Sequence, residues 1–222
     1  MSFCRALAVL ALLAVAACSA PPPLAPPPRA VILDPEAACL KELRDRHVAF
    51  EPQASFGAAG SCSVANPVKV TGDAQLTWNH PGVMSCAMAR TVERFETQVV
   101  QPAAQKYLGQ KVVRLHHMGT YACRTQRTET TVAAAANGTA AGGRLSEHAK
   151  GQAIDVGAFE LADGSVISVK KDWRDAGRKS AFLQEVARSS CDYFNVVLTP
   201  NHNRLHNDHL HLDIGPHRLC GM

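Results

Sequence analysis

Two short segments of this 222-residue chain hold the residue types that could do chemistry. One is Ser146-Glu147-His148-Ala149-Lys150-Gly151-Gln152-Ala153-Ile154-Asp155; the other is His206-Asn207-Asp208-His209-Leu210-His211-Leu212-Asp213. In an extended strand alternate side chains share a face. His209, His211 and Asp213 therefore project together, while Leu210, Leu212 and Ile214 face a core. Asp155 stands between Ile154 and Val156, where a carboxylate is costly unless it is paired or coordinates a cation. Two imidazoles and one carboxylate make a three-ligand set with an open fourth position. That suits catalytic zinc, which acidifies water and polarises a carbonyl. A lone His-x-His is commonplace on strand edges and a lone Asp in turns; their combination is what points to a metal.

Those residues need elements to hold them. Asp34-Pro35-Glu36 supplies a cap, a first-turn proline and an early acid, and predicts a helix to about Arg46. Ser85 opens a longer helix through Met88, Val92, Phe95, Val99 and Val100, kinked at Pro102 and ending at Gly109. Lys111 to Leu115 reads as a strand. Gln152 to Leu161 and Ser165 to Lys170 read as strands joined by an Asp163-Gly164 turn. Lys179 to Ser190 reads as a helix, and Phe194 to Leu198 and His209 to Ile214 as strands. Thr125 to Gly143, with four consecutive alanines and no amphipathic period, reads as a mobile insertion. Helices with hairpins, and no βαβ alternation, predict an α+β fold. The expected form is a small antiparallel sheet carrying a zinc site, packed by helices on one side and stapled by disulfides.

Composition narrows the class. No apolar run approaches the ~20 residues of a spanning helix, which excludes a polytopic membrane protein. The 23 basic and 19 acidic residues are interspersed, without the basic blocks that suggest nucleic acid. Residues 1–17 read as a signal peptide, with Arg5 followed by the short apolar stretch Ala6 to Ala17. Val15-Ala16-Ala17-Cys18 resembles a lipobox, so Cys18 is expected to carry lipid and anchor the chain to a membrane. Residues 18–31 then form the lipidated cysteine and a proline-rich spacer, and residues 32–222 the folded domain.

Six cysteines remain in that domain, an even number that argues for disulfides in an exported chain. Fifteen pairings are possible. The order-adjacent set, Cys39–Cys62, Cys86–Cys123 and Cys191–Cys220, is the expectation. No Cys-x-x-Cys occurs, which speaks against a structural zinc knuckle or a redox motif.

Ser146-x-His148-x-x-Gly151-x-Ala153-x-Asp155, followed by Asp208-His209-x-His211, resembles the zinc signature of D-Ala-D-Ala carboxypeptidases and related peptidoglycan peptidases. That superfamily includes lysostaphin-type endopeptidases and the hedgehog signalling domain. More closely, Cys39 to Gly215 resembles the bacterial extensin-like C-terminal domain. Gly119-Thr120-Tyr121-Ala122-Cys123-Arg124, Gly143-Arg144-Leu145-Ser146-Glu147-His148 and the His206 to Asp213 run carry that likeness. The resemblance implies zinc held by His148, Asp155 and His211, with Asp208 or His209 as general base. It implies substrate contacts from Arg124, Tyr121, Ser146 and His206, although Ala122 and Cys123 interrupt the usual Ser-x-Tyr-Arg order. The implied function is a zinc metallopeptidase of the cell envelope acting on peptidoglycan, a monomeric lipoprotein on the periplasmic face of the outer membrane. The alternative is a non-catalytic, zinc-containing envelope protein that binds cell wall.

Overall fold

The computed structural model describes residues 34–58, 61–130, 132 and 143–222. The chain divides into a unit Met1–Ile32, outside the described residues, and a compact unit Leu33–Met222. The expected signal peptide, the expected lipidation site Cys18 and the proline-rich stretch thus lie outside the described residues, as does most of the alanine-rich segment.

Helix α1 (Pro35–Asp45) begins where the Asp34 carboxylate accepts the backbone N–H groups of Glu36 and Ala37. The helix opened by Ser85 runs in three pieces: α2 (Cys86–Phe95), a π-helical turn (Glu96–Val100) and α3 (Gln101–Leu108). Pro102 has no N–H to give. The ladder adjusts just before it, with Gln101 N–H bonding Glu96 O five residues back. Gly109 ends the run in the left-handed region, φ +69°. A one-turn helix at Val169–Asp172 precedes α4 (Arg178–Ser190).

Among the described residues nine strands make one sheet: β1 (Ala49–Pro52), β2 (Pro67–Gly72), β3 (Thr77–Ser85), β4 (Val112–Gly119), β5 (Ala153–Leu161), β6 (Val166–Ser168), β7 (Val196–Leu198), β8 (Leu210–Asp213) and β9 (Leu219–Gly221). Their order is β1-β2-β3-β4-β5-β8-β7-β9, with β6 paired to β5. The α+β class stands, but the sheet is neither small nor wholly antiparallel. The β3–β4 and β7–β9 pairs run parallel. β1, β2 and β3 fall where the sequence reading placed no strand. β2 starts on a proline and β3 contains Pro81-Gly82, residues that ordinarily argue against a strand.

Alternation along the central strands separates core from site. Ile154 and Val156 of β5 and Leu210 and Leu212 of β8 join one hydrophobic core with Met88, Val92 and Phe95 of α2 and Phe182, Leu183 and Val186 of α4. Asp155 and His211 face the other way and sit directly opposite each other in the β5–β8 register. The core also holds an acid: Glu96 is buried in the π turn and accepts the Trp78 indole N–H at 2.8 Å. Burial, with Asp73 and Glu93 nearby, holds its carboxyl well above the usual range.

The disulfides correct two expected pairings. They are Cys39–Cys86, Cys62–Cys123 and Cys191–Cys220. Cys39–Cys62 and Cys86–Cys123 do not form, because α1 packs on α2 and brings Cys39 to the first residue of that helix, Cα to Cα 6.3 Å. Cys62 is left to meet Cys123, beside the turn that carries His148.

Candidate metal centre

The Ser146 hydroxyl accepts the His148 N–H and starts a 3-10 turn, Glu147–Lys150, which Gly151 closes at φ +63°. The turn sets His148 beside the start of β5. Asp155 on β5 and His211 on β8 complete the group. His148 Nε2 lies 3.2 Å from Asp155 Oδ1 and 3.2 Å from His211 Nδ1, and His211 Nδ1 lies 2.9 Å from Asp155 Oδ1. Among the described residues this is the one set of three or more His, Cys, Asp or Glu whose ligand atoms lie within 4.8 Å of one another.

The outer ring nitrogens say what the inner ones carry. His148 Nδ1 lies 2.7 Å from the Thr120 carbonyl, which can only accept, so the proton sits there and Nε2 turns a lone pair inward. His211 Nε2 donates to Asp213 Oδ2 at 3.1 Å, and Asp213 Oδ1 in turn accepts Gly215 N–H at 2.8 Å. Three acceptor atoms thus converge with nothing to donate between them unless positive charge enters. Burial opposes charge on Asp155, yet the hydrogen bonds that positively charged His148 and His211 rings would donate outweigh it and hold its carboxyl well below the usual range. Burial would likewise lower His211, but Asp155 and Asp213 on either side push it up to about 9. Such a pocket suits a cation, whether proton or metal. Tetrahedral zinc at 2.0–2.1 Å needs ligand atoms about 3.3 Å apart, close to the spacing present, so the donor set fits.

The site opens on a cavity of about 790 Å³. His209 stands at its edge, with Nε2 at 3.6 Å from Asp155 Oδ1 and Nδ1 at 2.9 Å from Asp208 Oδ1. It is not part of the converging set, which meets the cavity at Asp155 and His211. His206 lines the same cavity, its ring tilted against His209 and edge-on to His211, centres 5.2 and 5.9 Å away. Burial, and then the neighbouring His209 and His211, lower His206 to about 4.

The opposite wall is an antiparallel ribbon. Ala122 N–H bonds His148 O, Ser146 N–H bonds Arg124 O and Gln126 N–H bonds Arg144 O. Its alternation turns Arg124, Gln126, Arg144 and Ser146 to the cavity. Tyr121 goes the other way and packs edge-on against Phe56, so the structure does not bring it to the cavity with the other expected substrate contacts. Arg124 is half-buried and makes no ion pair among the described residues; burial lowers its pKa, against the pull of Asp155.

Sequence reasoning missed several groups here. The Thr120 carbonyl is a backbone atom and leaves no residue-type signal. Asp213 was legible as the third polar residue on the His209 to Asp213 face, though not as the support of His211. Arg127 and Arg144 also line the cavity, and Met118 forms part of its rim.

No curated protein and no solved structure matches the chain. A family model does, that of the extensin-like protein C-terminus, over residues 37–221. That span runs from α1 to β9 and holds every residue of the site, and the chain belongs to the extensin-like C-terminal family.

Proposed function

We propose that the protein is a zinc metallopeptidase of the cell envelope, hydrolysing peptide bonds of peptidoglycan as a carboxypeptidase or endopeptidase. The observation that carries this reading is the convergence of His148 Nε2, Asp155 Oδ1 and His211 Nδ1 on the wall of a cavity that Asp155 and His211 line. Bound there, zinc would supply Lewis acidity, polarising a carbonyl and acidifying a water. The likeness of the two motifs to those of peptidoglycan peptidases supports the substrate class. A lipid on Cys18 would hold the domain at the periplasmic face of the outer membrane, within reach of that polymer.

The chain's own residues have separable roles. Arg124 receives a substrate carboxylate, and Ser146 and His206 shape the cavity around the peptide. His209, with Nδ1–H held by Asp208, presents Nε2 to the open side of the metal centre. That nitrogen takes a proton from the attacking water and delivers it to the departing amine. The geometry favours His209 over Asp208 as the base, because the Asp208 carboxylate is already engaged by the imidazole.

Digestion of purified muropeptides by zinc-loaded protein, with products identified by mass, tests the reading. Release of stem-peptide or cross-bridge fragments supports it. Zinc binding with no cleavage across a broad muropeptide panel would replace it with a non-catalytic wall-binding protein.

A further inference from the structure

We infer that the Cys62–Cys123 disulfide is a reducible strut of the metal centre, open to a dithiol reductant of the thioredoxin class, whose loss weakens metal binding without unfolding the domain. The inference rests on the metal reading above.

Three chain segments hold the 3-10 turn that carries His148: Ser85 N–H bonds Gly151 O at 2.9 Å at its end, and two further segments grip it from either side. From one side, Thr120 O fixes the His148 ring at 2.7 Å and Ala122 N–H bonds His148 O at 3.3 Å. From the other, Ser63 N–H bonds Ala149 O at 3.0 Å, and the Val64 side chain lies beneath Gly151. A Cβ on Gly151 would come within 2.9 Å of Val64, so this side of the turn is closely fitted. The disulfide ties the two grips together, and Cys123 directly precedes Arg124 on the cavity wall. Apart from it, the grips meet through the Phe56–Tyr121 ring contact.

Accessibility separates this bridge from the core one. Cys123 is exposed and Cys62 half-buried, whereas Cys39 and Cys86 are both buried in the core. Cys220 also reaches the surface, but its bridge ties the end of α4 to β9 and touches neither grip. The exchange step balances simply. A reductant thiolate attacks the Cys123 sulfur, the S–S bond breaks, and Cys62 leaves as thiolate. The second reductant thiol then displaces Cys123 and closes the reductant's own disulfide. Two electrons and two protons pass to the strut, which becomes two thiols.

The test compares oxidised protein with the Cys62→Ser/Cys123→Ser variant in two measurements. Zinc affinity is read by competition with a chromophoric chelator, and amide exchange is followed at residues 146–152 and 86–95. The strut predicts a zinc dissociation constant roughly 10–100-fold higher in the variant, the usual cost of losing outer support for a ligand. It also predicts faster exchange at 146–152, with 86–95 unchanged. A zinc-binding parent whose affinity is the same in the variant overturns the inference, and so does a variant that fails to fold. If the oxidised parent binds no zinc, the metal reading falls; faster exchange at 146–152 then still supports the strut and unchanged exchange overturns it. Under graded dithiothreitol, alkylation should label Cys62 and Cys123 before Cys39 and Cys86, and the reverse order overturns the accessibility argument.

Discussion

The Asp208 carboxylate holds His209 by Nδ1 at 2.9 Å, and so turns the other ring nitrogen toward Asp155 at the mouth of the candidate metal centre. A carboxylate that orients an imidazole from behind fixes its tautomer and leaves the front nitrogen free to accept a proton. The two neighbours are therefore not interchangeable.

Their difference is measurable. His209→Ala should leave zinc content near that of the parent while peptide hydrolysis drops ~10²–10⁴-fold, the usual range for a lost general base. Asp208→Asn keeps an oxygen for Nδ1–H and should cost less. Equal losses in the two variants, or parent-like cleavage by His209→Ala, would reject this division of roles.

Asp213 should govern how firmly the metal is held. It bonds His211 Nε2 and is itself fixed by Gly215 N–H, so Asp213→Ala frees the ring to turn. Zinc affinity should fall roughly 10–100-fold. His211→Ala, which removes a ligand atom itself, should abolish stoichiometric binding. Metal analysis after dialysis against a weak chelator separates the two cases.

His117 gives the fold a dependence on acid. Its ring is buried beside Trp78 and His80, with Nε2 bonded to His80 O at 2.9 Å and Nδ1 unpartnered among the described residues. Burial, only partly offset by the His80 carbonyl, lowers it from 6.5 to about 4. The unfolded chain then binds more protons between those values, so stability from this group is full above pH ~6.5 and falls as pH drops toward 4. The loss should be on the order of 1–3 kcal/mol. His117→Gln, whose amide can still donate to His80 O, should flatten that part of the curve in urea titrations run at several pH values. A curve identical to the parent's would show that His117 does not contribute.

Glu96 works in the opposite direction. Its carboxyl is raised by burial, so the folded state binds the proton more tightly and stability declines as pH rises above the unfolded value of 4.5. Glu96→Gln keeps an oxygen for the Trp78 indole and carries no charge. At neutral pH its melting midpoint should exceed that of the parent by roughly 2–4 °C, about what 1 kcal/mol is worth in a domain of this size. A lower midpoint would mean that the ionised carboxylate is needed.

The half of the molecule around the site was the more legible. Ile154 to Val156 of β5 and Leu210 to Leu212 of β8 alternate apolar with polar, and α1 and α2 begin on the side-chain caps Asp34 and Ser85, so those elements lie close to where their residues suggest. β1 to β3 were hidden because their partners matter more than their own composition. Gly82 pairs with Val70, while Pro81 falls in the irregular stretch where the β2–β3 register shifts before Gly72 meets Thr77, a place that tolerates a proline. Pairing of Cys39 with Cys86 likewise depends on the packing of two helices and leaves no trace in cysteine order. The side-chain candidates for the metal could be picked by type and spacing. The Thr120 carbonyl could not, since every residue has one, and the turning away of Tyr121 follows from a ribbon whose register only the tertiary structure sets.

β8 lies inside the sheet, between β5 and β7, although in sequence it follows both of them. Synthesis proceeds from the other end. Until Leu210 to Asp213 have left the ribosome, the edge of β5 beside Asp155 has no partner, and His148 and Asp155 await their third companion. A metal held by these three groups would therefore be captured only after Asp213 has been made. A premature stop anywhere before residue 211 yields a protein with an open seam at its centre, exposed to aggregation rather than merely inactive.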